Sequence, residues 1–203
     1  MNKIAVEPTQ STTTGRTDYA GRGRVEVRFG GFGGQGIILA GYILGRAATV
    51  HSGRNAVMSQ SYGPQSRGGA CQTEVVISDS EIAYPRVTNT DVVVAMSQEA
   101  YRKYGLGRPD NALLIVDEDL VTLDHDAERG RPVRTAPATR LAEGLGKRII
   151  ANIVMLGFLT GATDLLDVDA VREAVAASVP NAFQELNVSA FDAGFQHAKE
   201  VRP

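Results

Sequence analysis

Val25-Glu26-Val27-Arg28-Phe29-Gly30-Gly31-Phe32-Gly33-Gly34-Gln35-Gly36, followed by Ile37-Ile38-Leu39-Ala40-Gly41, decides how this chain reads. An alternating, β-rich run enters a glycine cluster and an apolar run of helical character leaves it. Gly31, Gly33 and Gly36 meet the spacing G-x-G-x-x-G in the strand–turn–helix context that the pattern requires. Glycines let the backbone turn sharply and let an anion approach bare N–H groups. The helix that follows then aims the positive end of its dipole at that anion.

Working outward, a strand is expected over Arg24 to Gly30 and a helix from Gly36 to about Val50. Asn55 to Ser59 reads as a short strand that breaks into a loop at Ser61-Tyr62-Gly63-Pro64. Ala70 to Ser78 reads as a strand, Asp79-Ser80 as a tight turn and Glu81-Ile82-Ala83-Tyr84 as the returning strand of a hairpin. Val92 to Met96 is apolar throughout, as suits a strand buried on both faces. Ser97 is an apt N-cap for a short helix through Tyr104. Further strands are expected at Ala112 to Val116 and Arg131 to Thr135.

From Pro137 the chain turns helical. One helix runs to Glu143 and a more apolar one from about Lys147 to Gly161. Val168, Val171, Val175 and Val179 mark one face of a third, and Phe183, Leu186, Ala190, Phe191, Phe195 and Ala198 that of a fourth. The expectation is an α/β fold: a Rossmann-like, mostly parallel sheet with an antiparallel hairpin and a helical C-terminal third. Residues 1–24, polar and poor in periodic apolar character, read as a flexible N-terminal extension, and 25–203 as one domain.

The hydrophobic fraction of 43% and charged fraction of 22% are those of a soluble globular protein, and a cytoplasmic setting is expected. A net charge of −2 supplies no global attraction to nucleic acid, so an anion site must be local. The single cysteine excludes an internal disulfide framework and an iron–sulfur cluster ligated by this chain alone. Cys71, with no cysteine or histidine near it in sequence, reads as a small buried hydrophobe, and His51, His125 and His197 are too scattered for a metal site. Asn152 reads as a buried, hydrogen-bonded residue or a subunit contact. Asp117-Glu118-Asp119 ends a buried strand, where ligands of open α/β sheets often sit, but reads first as a solvated acidic turn.

A dinucleotide turn needs an acidic residue about 20 positions on, to hold ribose hydroxyls. None is there: residues 37–73 contain no Asp or Glu, while Arg46, Arg54 and Arg67 fall within them. That bias disfavours NAD and favours a ligand with additional phosphate, coenzyme A or NADP. The hydroxyl- and glycine-rich run from Ser59 through Arg67 to Gly69 reads as a binding loop in which Arg67 offers a forked donor to phosphate.

Gly31-x-Gly33-Gly34-Gln35-Gly36, Ala40-Gly41, Ser59-x-Ser61-Tyr62-Gly63-Pro64-x-Ser66-Arg67-Gly68-Gly69 and Ile82-x-Tyr84-Pro85 occur in that order. With Asp91, Gln98-Glu99-Ala100-Tyr101, Asn152 and Leu186-Asn187-Val188-x-Ala190-Phe191-x-x-Gly194, they resemble the gamma subunit of 2-oxoacid:ferredoxin oxidoreductases. The resemblance implies a heteromeric enzyme converting a 2-oxoacid and coenzyme A to an acyl-CoA and carbon dioxide, with electrons passed to ferredoxin or a similar acceptor. It implies thiamine diphosphate, Mg and [4Fe-4S] clusters in partner alpha, beta and ferredoxin-like delta subunits, not here. It assigns this chain CoA binding and a covering role over the active site. Carried to this sequence, Gly31, Gly33, Gly34, Gln35 and Gly36 would cradle CoA phosphates, with Arg54, Ser59 and Arg67 nearby. A free-standing NADP or flavin enzyme, or a scaffold whose glycine turn is only structural, are the alternatives.

Overall fold

The computed structural model describes Tyr19, residues 21–62 and residues 70–201. A six-stranded sheet runs in the order β2-β3-β1-β4-β5-β6, built from β1 (Arg24–Phe32), β2 (Asn55–Tyr62), β3 (Ala70–Ser78), β4 (Val92–Ala95), β5 (Leu113–Asp117) and β6 (Val133–Ala136). The pairs β1–β4, β4–β5 and β5–β6 are parallel; β3 is antiparallel to both β1 and β2. The helices are α1 (Ile37–Arg46), α2 (Gln98–Ala100), α3 (Ala138–Gly144), α4 (Ala151–Thr163), α5 (Val168–Ala177) and α6 (Gln184–Glu200). Among the described residues no helix is long and apolar enough to cross a membrane.

The sheet sorts its side chains with the period of two that a pleat imposes. Val25, Val27, Phe29, Val75, Ile77, Val92 and Val94 pack in one cluster with α1, α4, α5 and α6. Val93, Ala95, Leu114 and Val116 face the other way, onto Ala100 and Tyr101. β4 and β5 are buried on both faces, which is why their sequences carry no alternation. Ser97 caps α2 as its residue type suggests, accepting from Ala100 N at 3.1 Å. The apolar helix around Asn152 starts later than its periodicity implies, after a tight turn at Arg148–Ile150.

The antiparallel pairing differs from the hairpin expected at Asp79-Ser80. Residues 81–84 form no strand; β3 is filled on both sides, by β1 and by β2, so no edge remains for a return strand. The segment after β3 is held instead by charge. Buried Glu26 accepts from Thr88 N (2.7 Å) and Asn89 N (2.8 Å), and Arg24 donates to Tyr84 O (3.3 Å). β2 likewise runs on through Ser61 and Tyr62, where a loop was expected, because both residues pair with β3.

Before β1 the chain is tied down at Tyr19. Its ring is 1% exposed, its hydroxyl donates to Asp91 O at 2.9 Å and its N–H to Thr163 O at 3.2 Å. Met1 to Asp18 lie outside the described residues.

Candidate functional site

The turn after β1 keeps the helix N-terminus open. Gly34 (φ 96°) and Gly36 (φ 74°) are left-handed, a region costly for side chains carrying a Cβ. Gly36 is the N-cap of α1, with no side chain capping the helix and no acidic residue in its first turn. Its leading N–H groups are therefore left for an outside acceptor. Gly33 and Gly34 are exposed, and a Cβ on Gly34 would meet nothing within 4 Å.

The two flanking positions serve the turn's own architecture. A Cβ on Gly31 would approach Gln35 Oε1 to 2.5 Å and Ile37 Cδ1 to 2.7 Å, so this glycine makes room for the turn to fold back. The Gln35 side chain is spent as a brace: its Oε1 accepts from Phe32 N (2.7 Å) and its Nε2 donates to Met96 O (2.8 Å). That clamp joins the ends of β1 and β4, where an open α/β sheet parts its crossovers and binds ligands. From α4, buried Asn152 donates to Gly36 O at 3.1 Å, holding the turn from the other side.

Two clefts flank the glycines. One, of ≈ 570 Å³, is lined by Phe32, Gly33, Gly34, Ile38, Met58 and Cys71 among others. The second, of ≈ 310 Å³, lies across the carboxyl ends of the parallel strands, between Gly34, Gln35, Met96, Leu120, Thr139 and Arg148. Arg148 lies on its rim, 63% exposed and 3.8 Å from Glu143, so its guanidinium is loosely held.

The remaining expected residues do not gather here. Arg54 lies at the far end of the sheet, beside the start of β1; the nine residues of β1 separate it from the turn by roughly 26 Å. It pairs with Asp79 (2.6 Å) and donates to Arg22 O (2.7 Å). Ser59 sits in mid-β2 on the face opposite α1, where its hydroxyl donates to Glu74 (3.2 Å), the carboxylate that also takes Arg28. Gly63, Pro64, Arg67 and the rest of residues 63–69 lie outside the described residues.

Asp117-Glu118-Asp119 is not a solvated turn. Asp117 is 0% exposed and accepts from Thr139 N (3.1 Å) and Thr139 Oγ1 (2.6 Å), fixing the start of α3. Burial pushes its carboxyl above the usual range, partly offset by the hydrogen bonds from Thr139. Glu118 and Asp119 pair with Arg140. These acids are held locally, which leaves Arg148, only loosely paired with Glu143, as the cation on the rim of the second cleft.

Cys71 is 3% exposed at the floor of the first cleft, and burial pushes its thiol up. Only the thiolate is a strong nucleophile. The native chain is therefore expected to resist maleimide labelling at pH 7 and to label fully in denaturant; rapid native labelling would reopen a reactive role.

Met96, Leu120, Thr139 and Arg148 were not singled out by sequence. Met96 directly follows β4 and Leu120 lies three residues past the end of β5, so the rule that ligands lie beyond strand carboxyl ends could have found them. Arg148 carries no local signal, because only the packing of α4 brings it to the turn.

Residues 26–197 match the family model described as pyruvate ferredoxin/flavodoxin oxidoreductase. The 2-oxoglutarate synthase subunit KorC of Methanocaldococcus jannaschii is 47% identical over 179 residues, covering 88% of this chain and 96% of that protein. The same-named subunit of Methanothermobacter thermautotrophicus is 50% identical over 176 residues, covering 84% of this chain and 93% of its own length. A keto/oxoacid ferredoxin oxidoreductase gamma subunit from Geobacter sulfurreducens has a TM-score of 0.77 at 42% identity, covering 88% of this chain and 98% of that one. The 2-oxoglutarate:ferredoxin oxidoreductase of Magnetococcus marinus, solved with 2-oxoglutarate, coenzyme A and succinyl-CoA bound, has a TM-score of 0.79 over 89% of this chain and 32% of that one. At 21% identity that likeness concerns the fold.

Proposed function

The chain belongs to the pyruvate ferredoxin/flavodoxin oxidoreductase family as a gamma-type subunit, and from that premise we propose that it holds coenzyme A in a 2-oxoglutarate:acceptor oxidoreductase. In the proposed reaction 2-oxoglutarate, CoA and an oxidised acceptor give succinyl-CoA, carbon dioxide and the acceptor reduced by two electrons. Relatives of 47% and 50% identity that bear the name 2-oxoglutarate synthase support that substrate. Thiamine diphosphate and iron–sulfur clusters, held by alpha, beta and ferredoxin-like delta subunits in the cytoplasm, supply the decarboxylation and the path for electrons. This chain covers that centre and positions the thiol donor.

One observation carries the CoA assignment: a helix N-terminus with no side-chain cap and no first-turn acid, opened by exposed Gly33 and Gly34. A helix end alone offers only about 0.3–1 kcal/mol per exposed charge, too little to hold a pyrophosphate. Several convergent N–H groups, Arg148 at the rim and Arg67 from residues 63–69 together make the difference. Gln35 acts by bracing the turn through its side chain. Arg54 and Ser59, already paired elsewhere, have no first claim on the ligand.

In the assembled enzyme Arg148→Ala and Arg67→Ala are each expected to raise KM for CoA about tenfold, the low end for a charged hydrogen bond, with kcat and KM for 2-oxoglutarate little changed. Steady-state kinetics with each substrate varied checks this. Equal rises in both KM values would move these arginines to assembly, and absence of CoA binding by calorimetry in the complex would sink the assignment.

A further inference from the structure

Among the described residues β2 is an edge strand, bonded to β3 on one side only. Natural proteins blunt such edges with lysines, prolines, bulges or brevity. β2 has none of these: Asn55-Ala56-Val57-Met58-Ser59-Gln60-Ser61-Tyr62 carries no charge and no proline, and pairs with β3 in unbroken register over eight residues. Beside it, the seam with α1 is grooved. A cleft of ≈ 300 Å³ between Tyr42, Arg46, Val50, Ala56 and Met58 adjoins the ≈ 570 Å³ cleft, and the two share Tyr42 and Met58. Tyr42 and Val50 are 47% and 64% exposed beside these hollows. Arg46, in the same seam, has its Nε shut off from solvent with no hydrogen-bond partner and forms no ion pair with the described residues. That one N–H is under-satisfied in the isolated chain, while the rest of the half-buried guanidinium is open to an incoming carboxylate.

We infer that the free edge of β2 and its seam with α1 dock an extended strand of another subunit, with apolar side chains at alternate positions and a carboxylate facing Arg46. The strand completes the backbone ladder of β2, and its alternate side chains fill the hollow between Tyr42, Arg46, Val50, Ala56 and Met58, a division of labour typical of strand addition. Charge decides against a second copy of this chain. Residues 37–73, which contain α1 and β2, hold no Asp or Glu, so a symmetric pairing through this surface would bring Arg46 no acid. The docking surface rests on the β2 edge, Arg46 and the ≈ 300 Å³ hollow, none of which the CoA reading uses; the larger cleft, which borders Gly33 and Gly34, is left to the ligand.

Hydrogen–deuterium exchange of the full chain, alone and in the complex purified with its partner subunits, tests this. The half of the β2 amides pointing away from β3 is expected to exchange at least about tenfold more slowly in the complex. Arg46→Glu and, separately, Gln60→Lys on the exposed edge are expected to abolish that slowing while leaving the isolated chain's Tm within about 2 °C. Three results would overturn the inference. β2 could exchange equally in both states. Protection could appear in the isolated chain and rise with its concentration, which is a second copy. Or it could appear there and vanish when residues 1–18 are removed, which is the chain's own arm.

Discussion

Arg108→Met is expected to lower stability by about 3–5 kcal/mol, the usual cost of leaving one member of a buried ion pair alone. The Arg108 and Glu128 side chains are 0% and 6% exposed, joined by two hydrogen bonds at 3.1 and 2.6 Å. Glu128 also accepts from Tyr101 Oη (3.0 Å), and Arg108 donates to Ala112 O (3.0 Å) and Gly105 O (2.8 Å). The pair thus ties the turn after α2 to the long connection between β5 and β6. Its net worth is small, since desolvating two charges offsets most of their attraction. The loss comes from the orphan: a buried carboxylate left with the Tyr101 hydroxyl and, as counter-charge among the described residues, Arg131 at 3.9 Å. For a chain of 203 residues this corresponds to a Tm lower by on the order of 10 °C. The double variant Arg108→Met/Glu128→Leu is expected to be more stable than Arg108→Met. Strictly additive losses in thermal unfolding would show that the charges are not coupled.

What was legible in the sequence is what short-range chemistry dictates. The glycine turn announced itself because only glycine serves at Gly34 and Gly36, and β4 and β5 because continuous apolar runs have few other places to go. α5 and α6 followed from the spacing of their valines and phenylalanines. Partnerships across long separations were not legible. Nothing local says that β3 pairs with β1 and β2, which is why the returning hairpin strand at residues 81–84 was misplaced. The same limit hid the use made of acids and arginines. Asp117-Glu118-Asp119 looks like a solvated turn until Thr139 and Arg140 arrive from α3. Arg54 looks like a phosphate ligand until β2 and β3 are laid side by side and Asp79 claims it. A charge pattern in sequence states which groups are available; only the fold states which are already satisfied.

Gly194→Ala is expected to cost about 3 kcal/mol or more, since overpacking against rigid backbone leaves no side chain to yield. α4 and α6 cross with their main chains in contact. A Cβ on Gly194 would overlap Val154 O, and one on Gly157 would overlap Phe191 O, the two glycines facing each other's helices. Alanine is the better helix former by about 0.8–1 kcal/mol, so propensity alone predicts a gain. Gly144→Ala isolates that gain: a Cβ there meets nothing within 4 Å, and this exchange is expected to raise stability by about 0.5 kcal/mol. Opposite signs for one chemical change at two helical glycines would separate packing from propensity in a single denaturation experiment; a gain at both would refute the contact. The consequence reaches the site, because α4 begins beside Arg148 and carries Asn152, whose amide holds Gly36 O. A helix pushed off α6 moves that amide. Gly194→Ala is therefore expected to raise KM for CoA in whatever fraction stays folded, although Gly194 lies at the helix crossing, against the backbone of Val154 and Phe158, and lines neither cleft beside the glycine turn.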